Sequence, residues 1–372
     1  MSIIIFIIIL SALIIVHELG HFLVAKRFGI RVDEFGLGFP PRISKLFTWK
    51  DTPFTLNWLP FGGFVKIFGE NPAEKKVSGT FSSSPEEKVP DTFLEDNFQS
   101  KNRGIQASVL VAGVVGNFLF AWFLISLGFV AGLPAPANLS LPVENTRTVI
   151  TLVLPDSPAD TAGLKSGDAI LSLSRGDVYS ELSPEATSLF IAESREPITF
   201  TVDRGGKVST KIVVPEESII KDRLAVGISM DVIGIVKLPP HKAIWYGLKT
   251  TSLLTLQTGQ AIGTFIFQAL GGRASLSGIT GPVGIVGMVG EVRELGLTYL
   301  LTFTALLSIN LTIINLLPFP ALDGGRLLFI GIEAASRRSI PPRIFNVLNT
   351  VGFALLILLM LVITVQDVRN IF

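Results

Sequence analysis

Four long apolar stretches dominate the pattern of hydrophobic and polar positions along the chain. They cover residues 3–25, 105–132, 297–317 and 347–365. A helix needs about 20 residues to cross the hydrocarbon core of a bilayer. The pattern therefore predicts a polytopic α-helical membrane protein with four transmembrane helices.

The first apolar stretch could instead be a cleaved signal peptide. No Lys or Arg precedes its apolar run, and no small-residue cleavage site of the A-x-A kind ends it. Both features are expected of signal peptides. The sequence therefore favours a retained membrane helix.

The long segment between the second and third stretches has a different pattern of apolar and polar residues. Residues 143–216 alternate between apolar and polar positions in short runs separated by Pro, Gly and Asp, which predicts a mostly β domain. Two of these runs predict a hairpin that turns at Gly205-Gly206. Residues 243–270 are moderately apolar but contain Lys249 and several Gln and Thr, which predicts an amphipathic helix at the membrane interface.

A second β element is predicted between the first two spans. The stretch "FTLNWLPFGGFVKIF", residues 54–68, alternates as a β-hairpin would, with Gly62-Gly63 as its turn or bulge. Its aromatic content suits a membrane interface. The polar residues 70–100 are expected to form a flexible cytoplasmic loop. The predicted organisation is then 1–132, 143–216, 217–296 and 297–372.

Basic residues near the span ends predict the orientation. They follow the first span, precede the second, and separate the third from the fourth, as Lys26, Arg27, Arg31, Lys101, Arg103, Arg326, Arg337, Arg338 and Arg343. Loops 26–104 and 318–346 are therefore expected in the cytoplasm. Segment 133–296 is expected outside it.

Composition narrows the function classes. Hydrophobic residues make up 48% of the chain and charged residues only 16%, against about 25% charged in soluble domains. A net charge of +1 gives no support for binding to nucleic acid. The absence of cysteine excludes thiolate ligands, so any zinc must be held by histidine and carboxylate.

The sequence "HELGH" near the end of the first span carries the candidate chemistry. His17 and His21 lie four residues apart, on one face of a helix, and Glu18 is suited to accept a proton from water. An ionisable side chain at the centre of a bilayer costs about 2.5–3.5 kcal/mol on insertion scales. Three such side chains lie within five residues here, and a shared metal ion is the simplest way to offset their cost.

Asp323 is the candidate third ligand, because catalytic zinc usually has three protein ligands and an open position. It follows the third span, where Pro318 and Pro320 forbid a regular helix and Gly324-Gly325 permit close backbone approach. The alternative reading of Asp323 is a helix N-cap or turn residue at the membrane surface. Its expected position opposite the two histidines favours a ligand.

These motifs resemble the site-2 proteases, intramembrane zinc metalloproteases, in their bacterial type with a single PDZ domain. The resemblance rests on "HELGH", on "NLLPFPALDGG" (315–325) and on a PDZ-like insert, and it covers almost the whole chain. Three further stretches, "GGFVK" (62–66), "AGVVGN" (112–117) and "SGITGPVGI" (277–285), match family patterns.

The resemblance implies a role for each matching residue. It implies His17, His21 and Asp323 as zinc ligands, Glu18 as general base, and Asn315 as a residue that positions the substrate backbone or stabilises the oxyanion. It also implies that the segment of Gly62, Gly63 and Phe64 reaches into the membrane, where an edge strand could pair with an unwound substrate helix. For Asn117, interhelical hydrogen bonding and a functional role both stay open.

The sequence thus predicts an intramembrane zinc metalloendopeptidase for regulated intramembrane proteolysis of single-span membrane proteins or signal peptides. It would act in the lipid bilayer of the bacterial inner membrane, with its active site toward the cytoplasm. Its PDZ-like domain would either bind peptide or exclude bulky ectodomains. A catalytically silent PDZ-bearing scaffold is the alternative, and a transporter ranks third because no internal repeat is visible. The oligomeric state is not predicted.

Overall fold

The computed structural model describes residues 1–70, 96–137, 141–220, 223–273 and 280–371. They form two compact units. The first, the helical unit, comprises Met1–Leu124, Leu248–Val289 and Thr304–Phe372, and the second, the sheet unit, comprises Ile125–Gly247 and Gly290–Phe303. Most of the predicted cytoplasmic loop at 70–100 lies outside the described residues.

The α-helices of the described residues are Ser2–Arg27 (α1), Arg103–Ala131 (α2), Pro158–Thr161 (α3), Pro184–Ala192 (α4), Pro240–Leu270 (α5), Pro282–Leu295 (α6), Leu297–Leu316 (α7), Asp323–Ser336 (α8) and Pro342–Ile371 (α9). Among them α1, α2, α7 and α9 are long and apolar enough to cross a membrane. These four helices match the four predicted spans. Among the described residues, α5 is not apolar enough to count as a fifth membrane-crossing helix.

Small residues let the backbones of α1 and α2 approach closely. A Cβ added at Gly116 would lie 2.9 Å from the carbonyl oxygen of Val16, and one added at Gly20 would collide with the carbonyl of Ala112. Close packing through glycine is a common way for membrane helices to associate, because lipid offers no hydrophobic drive between helices. The glycines of "AGVVGN" thus serve the α1–α2 contact.

Two long strands, Val32–Trp49 (β1) and Thr52–Ile67 (β2), pair antiparallel. The turn between them lies at Lys50 and Asp51, which both have positive φ. The predicted turn at Gly62-Gly63 is therefore wrong, although Gly62, with φ +101°, lies inside β2 where the register is irregular, as a bulge would be.

This hairpin packs along α1. The Phe22 ring of α1 contacts Phe35 and Phe54 of the hairpin, with ring centroids 5.7 and 5.4 Å apart. Nearer the start of α1, the Ser11 hydroxyl donates a hydrogen bond to the carbonyl of Pro60 at 2.8 Å. Strand β2 therefore follows the apolar helix α1 over several of its turns.

A buried carboxylate ties α9 to the start of α6. Asp367 accepts hydrogen bonds from the backbone N–H groups of Gly281 and Gly284, at 3.1 and 2.8 Å. These are orphan N–H groups of a helix N-terminus, which favours a negative partner. The last residues of "SGITGPVGI" are held in this way, while its first three lie outside the described residues.

The strands of the sheet unit are Leu133–Pro136 (β3), Glu144–Val153 (β4), Ala169–Arg175 (β5), Val178–Tyr179 (β6), Ile198–Arg204 (β7), Lys207–Val213 (β8), Glu216–Ile220 (β9), Arg223–Ala225 (β10) and Ile228–Val236 (β11). Seven of them form one sheet in the order β3-β11-β4-β5-β7-β8, with β6 on β5, while β9 and β10 pair separately. The β7–β8 hairpin turns at Gly205-Gly206, as predicted.

The sheet extends beyond the predicted range 143–216 at both ends. Strand β11 pairs with β4 on one side and with β3 on the other. Both β3 and β11 lie outside that range, and they pair with each other over four residue pairs of this sheet. Its core contains Ile150, Leu173 and Phe200.

Asp168, the last residue of the turn "GLKSGD" (163–168), is fully buried in the sheet unit. Its carboxylate accepts two hydrogen bonds from Arg204, at 2.6 and 2.7 Å, and one from the backbone N–H of Lys165 at 3.0 Å. These bonds to Asp168 raise the pKa of the Arg204 guanidinium. The residue therefore has a structural role, because it holds the turn at Lys165 against Arg204 of β7.

Replacing Asp168 by Ala is expected to destabilise the sheet unit by about 3–5 kcal/mol, because it leaves a partly buried arginine without its partner. The measurement is thermal unfolding of the full chain in detergent, combined with limited proteolysis of the sheet unit. The matched control is Arg147→Ala, which removes the more exposed ion pair with Asp203 and should cost about 0–1 kcal/mol. Equal effects of the two substitutions would contradict the prediction.

Candidate metal centre

Helix α1 presents both histidines of "HELGH" on one face. His17 and His21 are 8% and 6% exposed, and their ring centroids lie 4.7 Å apart. The spacing of four residues brings the rings together one turn apart. Two imidazoles are thus buried side by side in an otherwise apolar helix.

The break between α7 and α8 brings a carboxylate to the histidines. Helix α7 ends at Leu316, before Pro318, and α8 begins at Asp323. A Cβ at Gly324 or Gly325 would collide with carbonyl groups of this break, so only glycine allows its tight backbone path. The N-cap of α8 is Leu322, and no side chain caps the helix. The alternative N-cap role for Asp323 therefore has no support here.

The three predicted ligands converge on one point. Asp323 Oδ2 lies 2.9 Å from His17 Nε2 and 3.3 Å from His21 Nε2, and the two Nε2 atoms are 3.2 Å apart. A tetrahedral ion with bonds of about 2.0 Å separates its ligand atoms by about 3.3 Å. Asp323 Oδ2 is also buried without a hydrogen-bond partner of suitable geometry among the described residues. The donor set and its spacing fit a zinc ion.

Contacts from α2 hold the far sides of both imidazole rings. His21 Nδ1 lies 2.8 Å from the carbonyl oxygen of Val109, which can only accept a hydrogen bond. A neutral His21 ring that donates to this carbonyl carries its proton on Nδ1, which leaves Nε2 with the lone pair that a metal requires. His17 Nδ1 lies 3.3 Å from the carboxamide of Asn117.

Glu18 is held by the hairpin. Its Oε2 accepts a hydrogen bond from the backbone N–H of Val65 in β2, at 3.0 Å. The predicted segment of Gly62, Gly63 and Phe64 directly precedes Val65 on that strand. The first two pack against α1, where a Cβ on Gly62 would lie 2.7 Å from Ile14 Cδ1.

Asn315 belongs to a polar face of α7. Its amide nitrogen lies 3.5 Å from His17 Nε2. Thr312 and Ser308, one and two turns earlier, are buried on the same helix. Ser308 donates a hydrogen bond to the main-chain carbonyl of Asn117 at 2.8 Å, which ties α7 to α2. The structure thus brings Asn315 to the histidine pair.

Sequence reasoning missed three contributions to this site. It gave no partner for Glu18 and no role to the Val109 carbonyl, since a backbone group leaves no mark in the sequence. It also missed Gly113, where a Cβ would lie 2.7 Å from His17 Cε1. A signal for this last contribution was present, because Gly113 and Asn117 are four residues apart in "AGVVGN".

The chain is similar to known proteins over its whole length. The sequence model of peptidase family M50 matches residues 5–359 of the chain. The zinc metalloprotease RasP of Geobacillus kaustophilus is 32% identical, over 100% of this chain and 98% of that protein. The zinc metalloprotease RasP of Oceanobacillus iheyensis is 30% identical, over 100% of this chain and 99% of that protein. With a family match over nearly its full length and a metal centre of the expected composition, the chain belongs to peptidase family M50.

Proposed function

We propose that this chain is an intramembrane zinc metalloendopeptidase that hydrolyses peptide bonds in single-span membrane proteins or signal peptides. The observation that carries the proposal is the convergence of His17, His21 and Asp323 within 3.3 Å, on helices of a membrane protein, with Glu18 next to the first ligand. Relatives named zinc metalloproteases support both the reaction and the metal.

Each residue of the centre has a separate task. His17, His21 and Asp323 would hold zinc, which would supply Lewis-acid chemistry and make water a nucleophile near neutral pH. Glu18 accepts the proton of the attacking water and passes it to the leaving amine. The Asn315 amide N–H, close to His17, donates to the substrate carbonyl or to the oxyanion that forms from it.

The hairpin supplies the strand with which a substrate pairs. A transmembrane substrate must unwind locally, because a helix keeps its carbonyls in i to i−4 hydrogen bonds. The Gly62–Phe64 segment lies beside α1 and next to Val65, whose N–H contacts the base. An unwound segment that adds to this strand by β-augmentation would lie close to Glu18.

Orientation and the role of the sheet unit follow from charge and position. Basic residues at the span ends support an orientation with the centre toward the cytoplasmic face of the bacterial inner membrane and the sheet unit outside. The sheet unit has a PDZ-like turn at "GLKSGD" and acts on substrates before they reach the membrane centre. We assign it a filtering role and none in the chemistry.

Glu18→Gln is expected to abolish cleavage of a helical membrane substrate in detergent, with rates at least about 10²-fold lower, because the amide cannot accept the proton. The variant should retain roughly one zinc per chain, measured by elemental analysis. Cleavage at the rate of the unmodified protein would remove Glu18 from the mechanism. A protein that binds zinc and cleaves no substrate in either form would favour the silent scaffold.

Asp323→Ala is expected to lower the zinc affinity at least about tenfold, since a two-histidine site lacks the usual third protein ligand. Competition with a chromophoric chelator measures this affinity. Asp33→Ala serves as the control, because Asp33 is a carboxylate of the same unit that pairs with Arg31 on the surface. Unchanged affinity in Asp323→Ala would exclude Asp323 as a ligand.

Removal of residues 134–235, which carry nearly all strands of the sheet unit, is expected to leave the chemistry intact and to broaden substrate choice. Leu133 of β3 faces Val236 of β11 in the sheet, and such antiparallel neighbours have Cα atoms about 4.5–5.5 Å apart. Residues 134–235 can therefore be replaced by a short Gly-Ser linker. The shortened protein should cleave a trimmed substrate at a comparable rate and accept one with a bulky ectodomain. Loss of trimmed-substrate cleavage with zinc still bound would contradict the filtering role.

A further inference from the structure

The carboxamide of Asn117 is the most buried polar side chain at the metal centre. It is fully inaccessible to solvent, in the middle of the apolar helix α2. Its Nδ2 atom lies 3.3 Å from His17 Nδ1, while its Oδ1 atom has no hydrogen-bond partner among the described residues. An unpaired buried acceptor costs about 1–3 kcal/mol. The position of this amide therefore calls for a reason.

The chemistry of imidazole supplies the reason. A neutral imidazole carries its proton on one nitrogen and a lone pair on the other. His17 faces the other two ligands through Nε2, so a metal bound there needs the lone pair on Nε2 and the proton on Nδ1. Only an acceptor can face that proton, and the only acceptor of the Asn117 side chain is Oδ1.

We propose that Asn117 is a positioning residue for the metal centre: its Oδ1 accepts the Nδ1 proton of His17 and so fixes the tautomer and ring orientation that leave Nε2 free for zinc. A half-turn about the Cβ–Cγ bond exchanges Oδ1 and Nδ2, which are nearly equal in size, so Oδ1 then faces His17 Nδ1. The turn moves Nδ2 to the position where Oδ1 has no partner among the described residues, so the bond to His17 has to offset the cost of that buried amide group. This inference rests on the proposed zinc site and extends it to a residue that does not touch the metal.

Helix α2 then holds both histidines in the same way. Val109 and Asn117 are separated by two helical turns, so they lie on one face of α2, with Gly113 midway between them. The Val109 carbonyl accepts from His21 Nδ1 at 2.8 Å, and the Asn117 carboxamide does the equivalent for His17. Gly113 leaves the space into which both rings fit, since its Cβ would lie 2.7 Å from His17 Cε1.

The backbone of Asn117 is anchored independently of its side chain. The Ser308 hydroxyl donates to its main-chain carbonyl at 2.8 Å. Ser308→Ala would therefore remove an α2–α7 hydrogen bond at the same residue without changing the partner of His17. This substitution is the matched control that separates a packing role of Asn117 from a role in holding His17.

The test is the zinc affinity of the full chain in detergent, by competition with a chromophoric chelator. Asn117→Leu keeps the volume and removes the acceptor, so the affinity should fall about 10–100-fold, the usual effect of losing such a partner. Asn117→Asp keeps an acceptor, so its zinc affinity should stay within about threefold of that of the unmodified protein. Metal-bound histidines commonly donate their second ring N–H to a carboxylate. Ser308→Ala should also retain its affinity.

Unchanged affinity in Asn117→Leu, or equal losses in the Leu and Asp variants, would overturn the proposal. Failure of the unmodified protein to bind zinc would contradict the proposed function itself. Zinc binding that does not depend on Asn117 would contradict only this inference, so the two failures are distinguishable. Thermal unfolding of each metal-free variant shows whether the fold is kept.

A second measurement reports the tautomers of the histidines directly. In a His241→Gln background, which removes the exposed third histidine, ¹⁵N-histidine NMR of the zinc-loaded protein should show two rings protonated at Nδ1. In Asn117→Asp one of the two Nδ1 proton signals should shift. A ring protonated at Nε2 in the unmodified zinc-loaded protein would overturn the proposal even if Asn117→Leu did not fold.

Discussion

Two buried histidines on membrane helix α1 and the carboxylate that begins α8 impose the constraint on which the rest of this structure depends. An ionisable side chain at bilayer depth costs about 2.5–3.5 kcal/mol on insertion scales unless it is compensated. His17, His21 and Asp323 compensate one another by converging on a site for a cation. The α1–α2 glycine contact and the proline break after α7 are the backbone arrangements that allow this convergence. The geometry of the site therefore depends directly on how these helices pack.

Much of the fold could be predicted because its signals are local. The four spans follow from composition alone, and the β7–β8 turn follows from Gly205-Gly206. The β1–β2 turn could not be found, because Lys50 and Asp51 adopt positive φ without glycine, while Gly62-Gly63 gave a stronger but misleading signal. The extent of the sheet was missed because β3 and β11 pair across nearly a hundred residues, and strand pairing at that distance leaves no periodicity to detect.

The metal-centre residues show the same division. His17, Glu18, His21 and Asp323 could be named from the sequence, because their spacing and their cost in an apolar setting point to one ion. Their supporting contacts could not, because they depend on which face of α2 turns to α1. The Val109 carbonyl has no signature at all. Asn117 had a signature in the sequence, because it is a polar residue in an apolar span. Its neighbour His17 could be identified only from the packing of α1 against α2.

The hydrogen bond between Val65 and Glu18 also sets a limit on the hairpin. A backbone N–H has one proton to donate, and that of Val65 is given to the carboxylate at 3.0 Å. This group is therefore withdrawn from the row of donors that the edge of β2 can offer to another chain. The same bond joins the Glu18 carboxylate to the backbone of the hairpin. Any shift of β2 along α1 would therefore move this carboxylate as well.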